Sequence, residues 1–165
     1  MAQMVETSQF LTFTLDEEQY AVDVAKVREV LEYTKVTRVP RMPEYMCGVI
    51  NLRGSVVPVI DLRLKFGLKA VERTINTSIV VMEIEMGEDT VILGALTDSV
   101  KEVIDFEAGD IEPAPRIGTK LETEFIKGMG KKNDSFIIIL DIDKVFSAEE
   151  LIKVRGMEID KIGEG

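Results

Sequence analysis

The sequence predicts a mostly β protein made of two small β units of similar topology, with short helical turns and a C-terminal helix. Two observations predict this fold. Short apolar runs rich in Val and Ile are separated by turn residues along the chain, and the second half of the chain repeats the first. We expect roughly five short strands in each unit, closed into small barrels that leave few exposed edges.

The repeat is visible at two offsets. One constant shift, which we call the longer offset, aligns four pairs: Gly48 with Gly128, Ser55 with Ser135, Asp61 with Asp141, and Phe66 with Phe146. A second shift, the shorter offset, aligns Val27-Arg28-Glu29-Val30 with Val100-Lys101-Glu102-Val103. The second half therefore has about seven extra residues, which we expect within 108–119. We expect subdomains near 9–67 and 77–146, a division that leaves room for a strand to cross between them.

In the first half, alternating apolar residues predict strands at 9–15 and 19–22, joined by a turn at 16–18. Asp23 is expected to cap a short helical turn through Val27, because its carboxylate can accept orphan N–H groups. The apolar spacing of 27–31 fits a helix and a strand equally well. A connector with two prolines follows at 34–45, and another helical turn is expected between Asp61 and Gly67.

The polar link at 68–76 is the best candidate for a boundary between the units. Strands are predicted at 77–86 and 90–96, and the segment 100–106 repeats the pattern of 27–31. An irregular link at 108–119 precedes a hairpin at 125–140. A helix is predicted for 147–162, where Ser147 and Glu150 form a capping box. Its apolar face is expected to carry Leu151, Ile152, Val154 and Met157.

A hairpin at 47–63 is the most informative stretch of the chain. Two β-branched runs, 49–52 and 56–60, flank the polar tip Arg53-Gly54-Ser55. Gly54 can take a positive φ, which suits the tip. Pro58 has no N–H, so its strand is expected at a sheet edge or with a bulge. Arg53 lies at the mouth of this hairpin, either as a solvated turn residue or as a contact for a partner.

Composition excludes several kinds of partner and compartment. The net charge of −10 argues against nucleic acid, whose phosphates need clustered Lys and Arg. A single cysteine, no apolar run approaching about 18 residues and no signal-peptide pattern in 1–9 together indicate a cytoplasmic protein with no direct membrane insertion. Within this acidic chain Lys35, Arg38 and Arg41 form a basic island, which is either a solvated loop or a docking edge for an acidic partner.

The residue types in the chain also limit the chemistry that it could carry out. Without histidine there is no Ser-His or Cys-His pair, and one cysteine cannot build a Cys/His zinc site. No phosphate-binding loop is present, so we expect no cofactor and no metal. Cys47 is expected to be a buried, inert thiol. Three carboxylate pairs could serve an enzyme, although 30 acidic residues make solvated pairs expected: Asp141 with Asp143, Glu83 with Glu85, and Asp105 with Glu107.

The segment 48–63 resembles the signature of CheW, a family of bacterial chemotaxis coupling proteins. It contains Gly-Val-x-Asn-Leu-Arg-Gly and then Val-Pro-x-x-Asp-Leu-Arg, with every position filled. The resemblance covers about residues 9–150 and implies one domain of two SH3-like five-stranded β-barrels with a C-terminal helix. Further matching positions are Phe13, Thr14, Leu15, Tyr20, Asp23, Val27, Glu29, Val36, Thr37, Arg38, Pro43, Phe66, Asp98, Val100, Val103, Ile111, Pro113, Ala114, Pro115 and Gly128.

This resemblance implies a non-enzymatic adaptor that links chemoreceptors to the histidine kinase CheA. One barrel would bind the regulatory domain of the kinase, and the helical tip of the receptor would dock in the groove between the barrels. By position, the receptor groove would contain Val27, Arg53, Val100 and Val103, and the kinase side Glu29, Val36, Thr37 and Gly48. Alternatives are a CheV-like adaptor, a CheA-derived fragment of the same fold, and a carboxylate-based enzyme.

Overall fold

The computed structural model describes residues 7–113 and 125–164. The strands are β1 Thr7–Leu15, β2 Glu18–Asp23, β3 Val27–Glu32, β4 Met46–Leu52, β5 Ser55–Asp61, β6 Ser78–Met86, β7 Asp89–Thr97, β8 Ser99–Glu107, β9 Ile111–Glu112, β10 Ile126–Lys132 and β11 Ser135–Leu140. The helices are α1 Leu62–Lys65, α2 Ile142–Val145 and α3 Ala148–Glu164. The mostly β fold is confirmed, and the undecided segment 27–31 is a strand with alternating burial.

The strands form two sheets. Sheet I has the order β8-β1-β2-β11-β10-β9, and sheet II has the order β3-β6-β7-β5-β4. Neither sheet consists of consecutive strands, because the β1–β2 hairpin pairs with β8 and β11 rather than with β3. We expected subdomains near 9–67 and 77–146, with room for a strand to cross between them. Strands of the two halves do cross in this way. Each half of the chain contributes its first hairpin to the sheet of the other half.

The internal repeat is confirmed by the strand register. In sheet I the parallel pair of β11 and β2 places Ile139 opposite Ala21, and in sheet II β5 and β7 place Val59 opposite Gly94. The longer offset aligns Val59 with Ile139, and the shorter offset aligns Ala21 with Gly94. Both offsets therefore relate structurally equivalent strands. The two sheets have the same topology, with Thr37 bridged to Val49 at the position that β9 occupies in sheet I.

Three apolar cores explain why so many strands are buried on both faces. One core, which we call the shared core, combines side chains of both sheets, such as Phe13 and Val22 of sheet I and Met82 and Leu93 of sheet II. Each sheet has a second core on its other face. That of sheet I includes Phe10 and Phe106, and that of sheet II consists of Ile50, Val57, Val59, Ile79 and Val81. Full burial of each such side chain contributes about 1.5–3 kcal/mol.

The position of Pro58 differs from the prediction of an edge strand. Its strand β5 lies between β7 and β4, inside sheet II. Pro58 is opposite Val49, and Val49 directs both its N–H and its C=O to Thr37. Val49 thus turns both backbone groups away from β5. In an antiparallel pair, an N–H at position 58 would then have no acceptor in β4. Pairing with β7 begins only at Val59, so the missing N–H of Pro58 interrupts neither ladder. The one bulge of the β4–β5 pair lies in β4, between Met46 and Gly48.

The predicted caps are confirmed. The Asp23 carboxylate accepts the Ala25 N–H at 2.9 Å, and the Asp61 carboxylate accepts the Arg63 N–H at 2.9 Å at the start of α1. Ser147 and Glu150 form the reciprocal capping box, with N···O distances of 2.9 and 3.1 Å. Within 108–119 the structure describes a 3₁₀ turn at Ala108–Asp110, β9 and Pro113, and residues 114–119 lie outside the described residues.

Partly buried ion pairs connect the two sheets. The one-turn helix α1, which follows β5 of sheet II, places the buried Arg63 against the β1–β2 turn of sheet I. Its guanidinium donates to Asp98 at 2.6 Å and to Asp16 at 3.2 Å. The longer offset aligns Arg63 with Asp143, which accepts from Lys26 at 2.7 Å and from the Glu85 N–H at 3.0 Å. The repeat therefore keeps this polar contact between the sheets, but a basic residue in one half corresponds to an acidic residue in the other.

Helix α3 packs on β4, β5 and β7 and is anchored by Leu151 and Val154 in the shared core. Ile152, which we expected on this face, is 62% exposed because it is rotated away from Leu151, and the side chain of Met157 lies outside the described residues. A polar contact reinforces the apolar anchor. Glu150 accepts from the Tyr45 hydroxyl at 2.7 Å and from Lys65 at 3.0 Å.

Lys65 is enclosed by three aromatic rings in addition to Glu150. Its Nζ lies 5.4 Å from the ring centroids of Tyr45 and Phe125 and 5.7 Å from that of Phe146. Burial would raise the pKa of Glu150, but the Ser147 N–H, the Tyr45 hydroxyl and the Lys65 ammonium lower the pKa to about 2. Burial and the Glu150 charge raise the pKa of Tyr45. The ionised Glu150 is therefore the form that the folded protein favours.

We predict that this contact makes the stability of the protein depend on acidity. A carboxylate whose pKa is lowered on folding stabilises fully above its unfolded pKa, and this stability is lost as the pH falls through the folded pKa. The contribution of Glu150 should therefore decline between its ordinary value of 4.5 and about 2. Denaturant melts of Glu150→Gln should show a flatter pH dependence over this window than wild type. Glu149→Gln, an exposed neighbour in the same helical turn, removes the same charge without disturbing Tyr45 or Lys65 and serves as the control, from which Glu150→Gln should differ.

Candidate functional site

The tip of the β4–β5 hairpin is a two-residue turn in which both residues have a positive φ. Arg53 has φ 49° and Gly54 has φ 88°, the combination that matches the twist of a tight hairpin. The Asn51 side chain accepts the Gly54 N–H at 2.8 Å and closes the turn. The positive φ of Gly54 is confirmed. The positive φ of Arg53 was not predicted, because arginine rarely adopts this conformation.

Arg53 forms a bidentate ion pair with Glu29 on β3. Its two terminal nitrogens donate to the two carboxylate oxygens, each at 2.8 Å. The hydrogen bonds from Arg53 lower the pKa of the Glu29 carboxyl. Because β3 and β4 are the two edges of sheet II, this pair links the edges across the mouth of the barrel. A residue expected on the receptor side and a residue expected on the kinase side are thus in direct contact.

A groove of about 360 Å³ lies beside this ion pair. Its apolar lining comes from Leu52, Val56, Val57 and Ile92, and a polar lining of similar extent comes from Arg28, Glu29, Arg53 and Ser55. The equivalent place on sheet I has a smaller cavity of about 150 Å³, next to an ion pair between Lys132 and Glu102 at 2.8 Å. Glu102 is the residue that the repeat aligns with Glu29. The groove at Arg53 is therefore the larger member of an equivalent pair.

Gly48, Thr37 and Val36 lie at the edge of sheet II that is formed by β4, opposite the edge formed by β3. Thr37 and Val49 exchange two backbone hydrogen bonds of 2.8 Å, which bring the Thr37 backbone against Gly48. Gly48 has φ 145°, and a Cβ at this position would overlap the carbonyl of Thr37. Val36 is half-buried and packs on the core of sheet II. These three of the four expected kinase-side residues therefore lie together, and the glycine is required by the close backbone approach.

Val27, Val100 and Val103 lie on the two outer strands β3 and β8. The repeat aligns Val27 with Val100, and both valines pack half-buried against the shared core from different sheets. Val103 is 52% exposed, and so is its repeat mate Val30, at 42%. Val30 was missed by the sequence analysis, although the shorter offset aligns it with Val103 directly. The two outer strands thus present matching valines, one pair half-buried and one pair exposed.

The residues considered for catalysis do not form a common site. Glu83 pairs with Arg28, whereas Glu85 and Asp143 share Lys26. Within 7–113 and 125–164, no group of three or more histidine, cysteine or carboxylate side chains could hold a metal. Cys47 is half-buried rather than fully buried, and burial together with the nearby Asp61 raises the pKa of its thiol to about 11. The thiol therefore stays protonated at neutral pH, as expected of an unreactive cysteine.

Comparison with known proteins supports this picture. The family model of the CheW-like domain matches residues 9–150. A chemotaxis protein CheW from Klebsiella aerogenes is 39% identical over 146 residues, which cover 88% of this chain and 86% of the relative. A CheW from Thermotoga maritima is 30% identical and covers 95% and 98% of the two chains. The crystal structure of the scaffolding protein TtCheW from Thermoanaerobacter tengcongensis has a TM-score of 0.77 and 34% identity, over 88% of this chain and 97% of that chain.

The fold and the site together define a β-barrel interaction module, whose distinctive residues line grooves and strand edges. The chain belongs to the CheW-like family of chemotaxis scaffold proteins. The expected fold and the expected role as a non-enzymatic adaptor in chemotaxis are confirmed by this membership, which does not favour the carboxylate enzyme. In the described part of the chain, no helix is long and apolar enough to cross a membrane.

We predict that Gly48→Ala lowers the free energy of unfolding by about 2 kcal/mol or more, because the methyl group meets the Thr37 carbonyl at an unfavourable φ. Gly54→Ala is the matched control. Gly54 also has a positive φ, but no atom lies within 4 Å of its added Cβ, so the cost should be about 1 kcal/mol. Urea melts of both variants measure the difference. Equal costs would mean that the close approach to Thr37 is relieved by a small movement.

Proposed function

We propose that this protein couples the cytoplasmic tips of chemoreceptors to the regulatory domain of the histidine kinase CheA. The observation that carries the proposal is the matching pair of outer strands. Val27 of β3 and Val100 of β8 pack on one core from two different sheets, and Val103, three residues after Val100 on β8, is exposed. A groove between two such strands would suit the apolar face of a helical receptor tip.

The receptor side of this proposal combines apolar and charged contacts. Val27, Val100 and Val103 supply apolar area, and Glu29 and Glu102 add a carboxylate at repeated positions of the same strands. Arg53 is exposed at the end of the β4–β5 hairpin and can orient an acidic receptor side chain, since guanidinium groups bind carboxylates bidentately. In the unbound protein Glu29 occupies this guanidinium. A receptor carboxylate would therefore compete with Glu29 for Arg53.

The kinase side is proposed at the opposite edge of sheet II, around Gly48, Thr37 and Val36. Strand β4 and the Thr37 bridge form this edge, and the absence of a side chain at Gly48 keeps the two backbones close. A β-barrel partner could pack against such an edge with little adjustment, because the backbone is already held by hydrogen bonds. Glu29, the fourth kinase-side residue, lies across the barrel mouth in its pair with Arg53. We place the protein in the cytoplasm, at receptor arrays by association with these partners.

The role of the outer strands can be tested with Val103→Ala. Because Val103 is 52% exposed, the substitution should change the free energy of unfolding by no more than about 0.5 kcal/mol. Binding of a receptor cytoplasmic fragment should weaken clearly. Ile104→Ala, the buried neighbour on the other face of β8, is the control and should cost about 2–5 kcal/mol. Normal receptor affinity of folded Val103→Ala and Val27→Ala would remove both valines from the groove.

The role of Arg53 can be tested by reversing its charge. Arg53→Glu should leave the melting temperature nearly unchanged, because the pair with Glu29 is exposed to solvent. Receptor-dependent activation of CheA should fall, since the new carboxylate repels a receptor carboxylate.

The double variant Arg53→Glu/Glu29→Arg separates the two possible reasons for such a loss. It rebuilds the internal ion pair but leaves the reversed charge at the hairpin tip. Because Glu29 is itself a proposed kinase-side residue, the readout here is direct binding of a receptor cytoplasmic fragment, which we expect to stay weak. Restored receptor binding would mean that Arg53 acts only by holding Glu29.

A further inference from the structure

A second groove, with a basic rim, lies in the connector between β3 and β4. Its volume is about 330 Å³, within the range of about 300–1,000 Å³ of pockets that take small ligands. Val39, Met42 and Met46 line its apolar floor, and Arg38 and Arg41 lie exposed at its rim. The groove, whose lining is more polar than apolar, therefore joins a small apolar patch to two guanidinium groups. It contains two members of the basic island found in the sequence, to which the proposed function assigns no role.

The backbone holds this groove open without a ligand. Thr37, just before Arg38, exchanges two hydrogen bonds of 2.8 Å with Val49, and the Met46 N–H donates to the Pro43 carbonyl at 2.9 Å. Val39 and Met42 pack half-buried against the shared core. Both ends and the floor of the connector are thus fixed. A ligand would bind a surface that is already ordered, which lowers the entropic cost of binding.

Arg41 adopts an unusual backbone conformation at the rim. Its φ is 64°, in the left-handed region that favours glycine and asparagine and disfavours residues with a longer side chain. Left-handed residues of this kind occur often at binding sites, where the strain is maintained for function. Glycine would adopt this φ at lower cost, so the backbone conformation alone does not explain an arginine at position 41.

The charge of the rim also sets it apart. Among the described residues, neither Arg38 nor Arg41 forms an ion pair within 4.0 Å, whereas Arg28, Arg53, Arg63 and Arg155 each do. Arg73 also has no ion pair, but its guanidinium lies on the Tyr33 ring. Glu44 adds one carboxylate to the lining, and Lys35 adds another exposed cation nearby. The chain as a whole carries a net charge of −10. The rim is thus a local positive site on an acidic protein.

We propose that this groove docks a short acidic segment of a partner protein. One apolar side chain of the segment lies between Val39 and Met42, and flanking carboxylates bind the guanidinium groups of Arg38 and Arg41. Planar guanidinium groups suit carboxylates because they offer two parallel donors. A nucleic acid or an anionic membrane fits less well, because either would extend beyond the rim and be repelled by a chain whose net charge is −10. The apolar floor further favours a peptide with an apolar residue.

The proposal can be tested by fluorescence anisotropy on the full chain. The probe is a short fluorescein-labelled peptide in which leucines alternate with glutamates. We expect binding that weakens as salt rises, and that is at least about tenfold weaker when lysine replaces the glutamates or serine replaces the leucines. In methyl NMR spectra of the protein, the signals of Val39 and Met42 should shift during the titration.

Two matched variants locate the binding site. Arg38→Gln with Arg41→Gly removes both rim charges, and glycine suits the positive φ of position 41, so the fold should be kept. Peptide affinity should fall at least about tenfold. Lys127→Gln with Lys131→Gln removes the same charge from β10 and should leave the affinity unchanged. If the first variant melts early, Arg38→Gln alone replaces it.

Four results would overturn the proposal. The first is the absence of binding at low salt, and the second is equal binding of the serine-substituted peptide, which would reduce the effect to nonspecific attraction. The third is an equal loss in both charge variants, which would reflect net charge alone. The fourth is binding of duplex DNA or phosphatidylserine vesicles that the rim variant abolishes, which would assign the groove to a polyanion.

Discussion

The shared apolar core is the constraint on which the rest of the structure depends. Each half of the chain places its first hairpin in the sheet of the other half, so neither half can bury its apolar strand faces alone. Strand β6 shows the consequence, because Ile79 and Val81 enter the core of sheet II while Val80 and Met82 enter the shared core. The two barrels are therefore parts of one cooperative unit, and any partner that binds across them meets a rigid frame.

The repeat preserves backbone geometry more strictly than it preserves chemistry. The bulge beside Gly48 recurs beside Gly128, and the two-residue turn at Arg53 recurs at Asn133. By contrast, Arg63 and its equivalent Asp143 make the same inter-sheet contact with opposite charges. Helix α3 adds a larger asymmetry, since it covers strands of sheet II and is held there by Lys65 and Glu150. Equivalent surfaces of the two sheets can thus serve different partners.

The features that we connect with binding are of two kinds. Some lie where the shared core reaches the surface, and the others lie at the edges of sheet II. The valines of β3 and β8 belong to the first kind, and the Arg53–Glu29 pair and the Gly48–Thr37 approach to the second. The basic-rimmed groove rests on the same frame, because Val39 and Met42 pack on the shared core. Rigid supports of this kind position contact residues without a cost of ordering on binding.

The sequence by itself determined most of the turns and caps, the repeat and the family, although it left segment 27–31 undecided between helix and strand. Hairpin turns, helix caps and the two offsets of the repeat are local patterns, since each depends on residue types at fixed spacing. Only the tertiary structure decided the strand exchange, the interior position of Pro58, and the contact between Glu29 and Arg53. Strand periodicity says which side chains share a face but not which distant strand lies beside it. That choice depends on how the two halves together bury their apolar faces, which is a property of the whole chain.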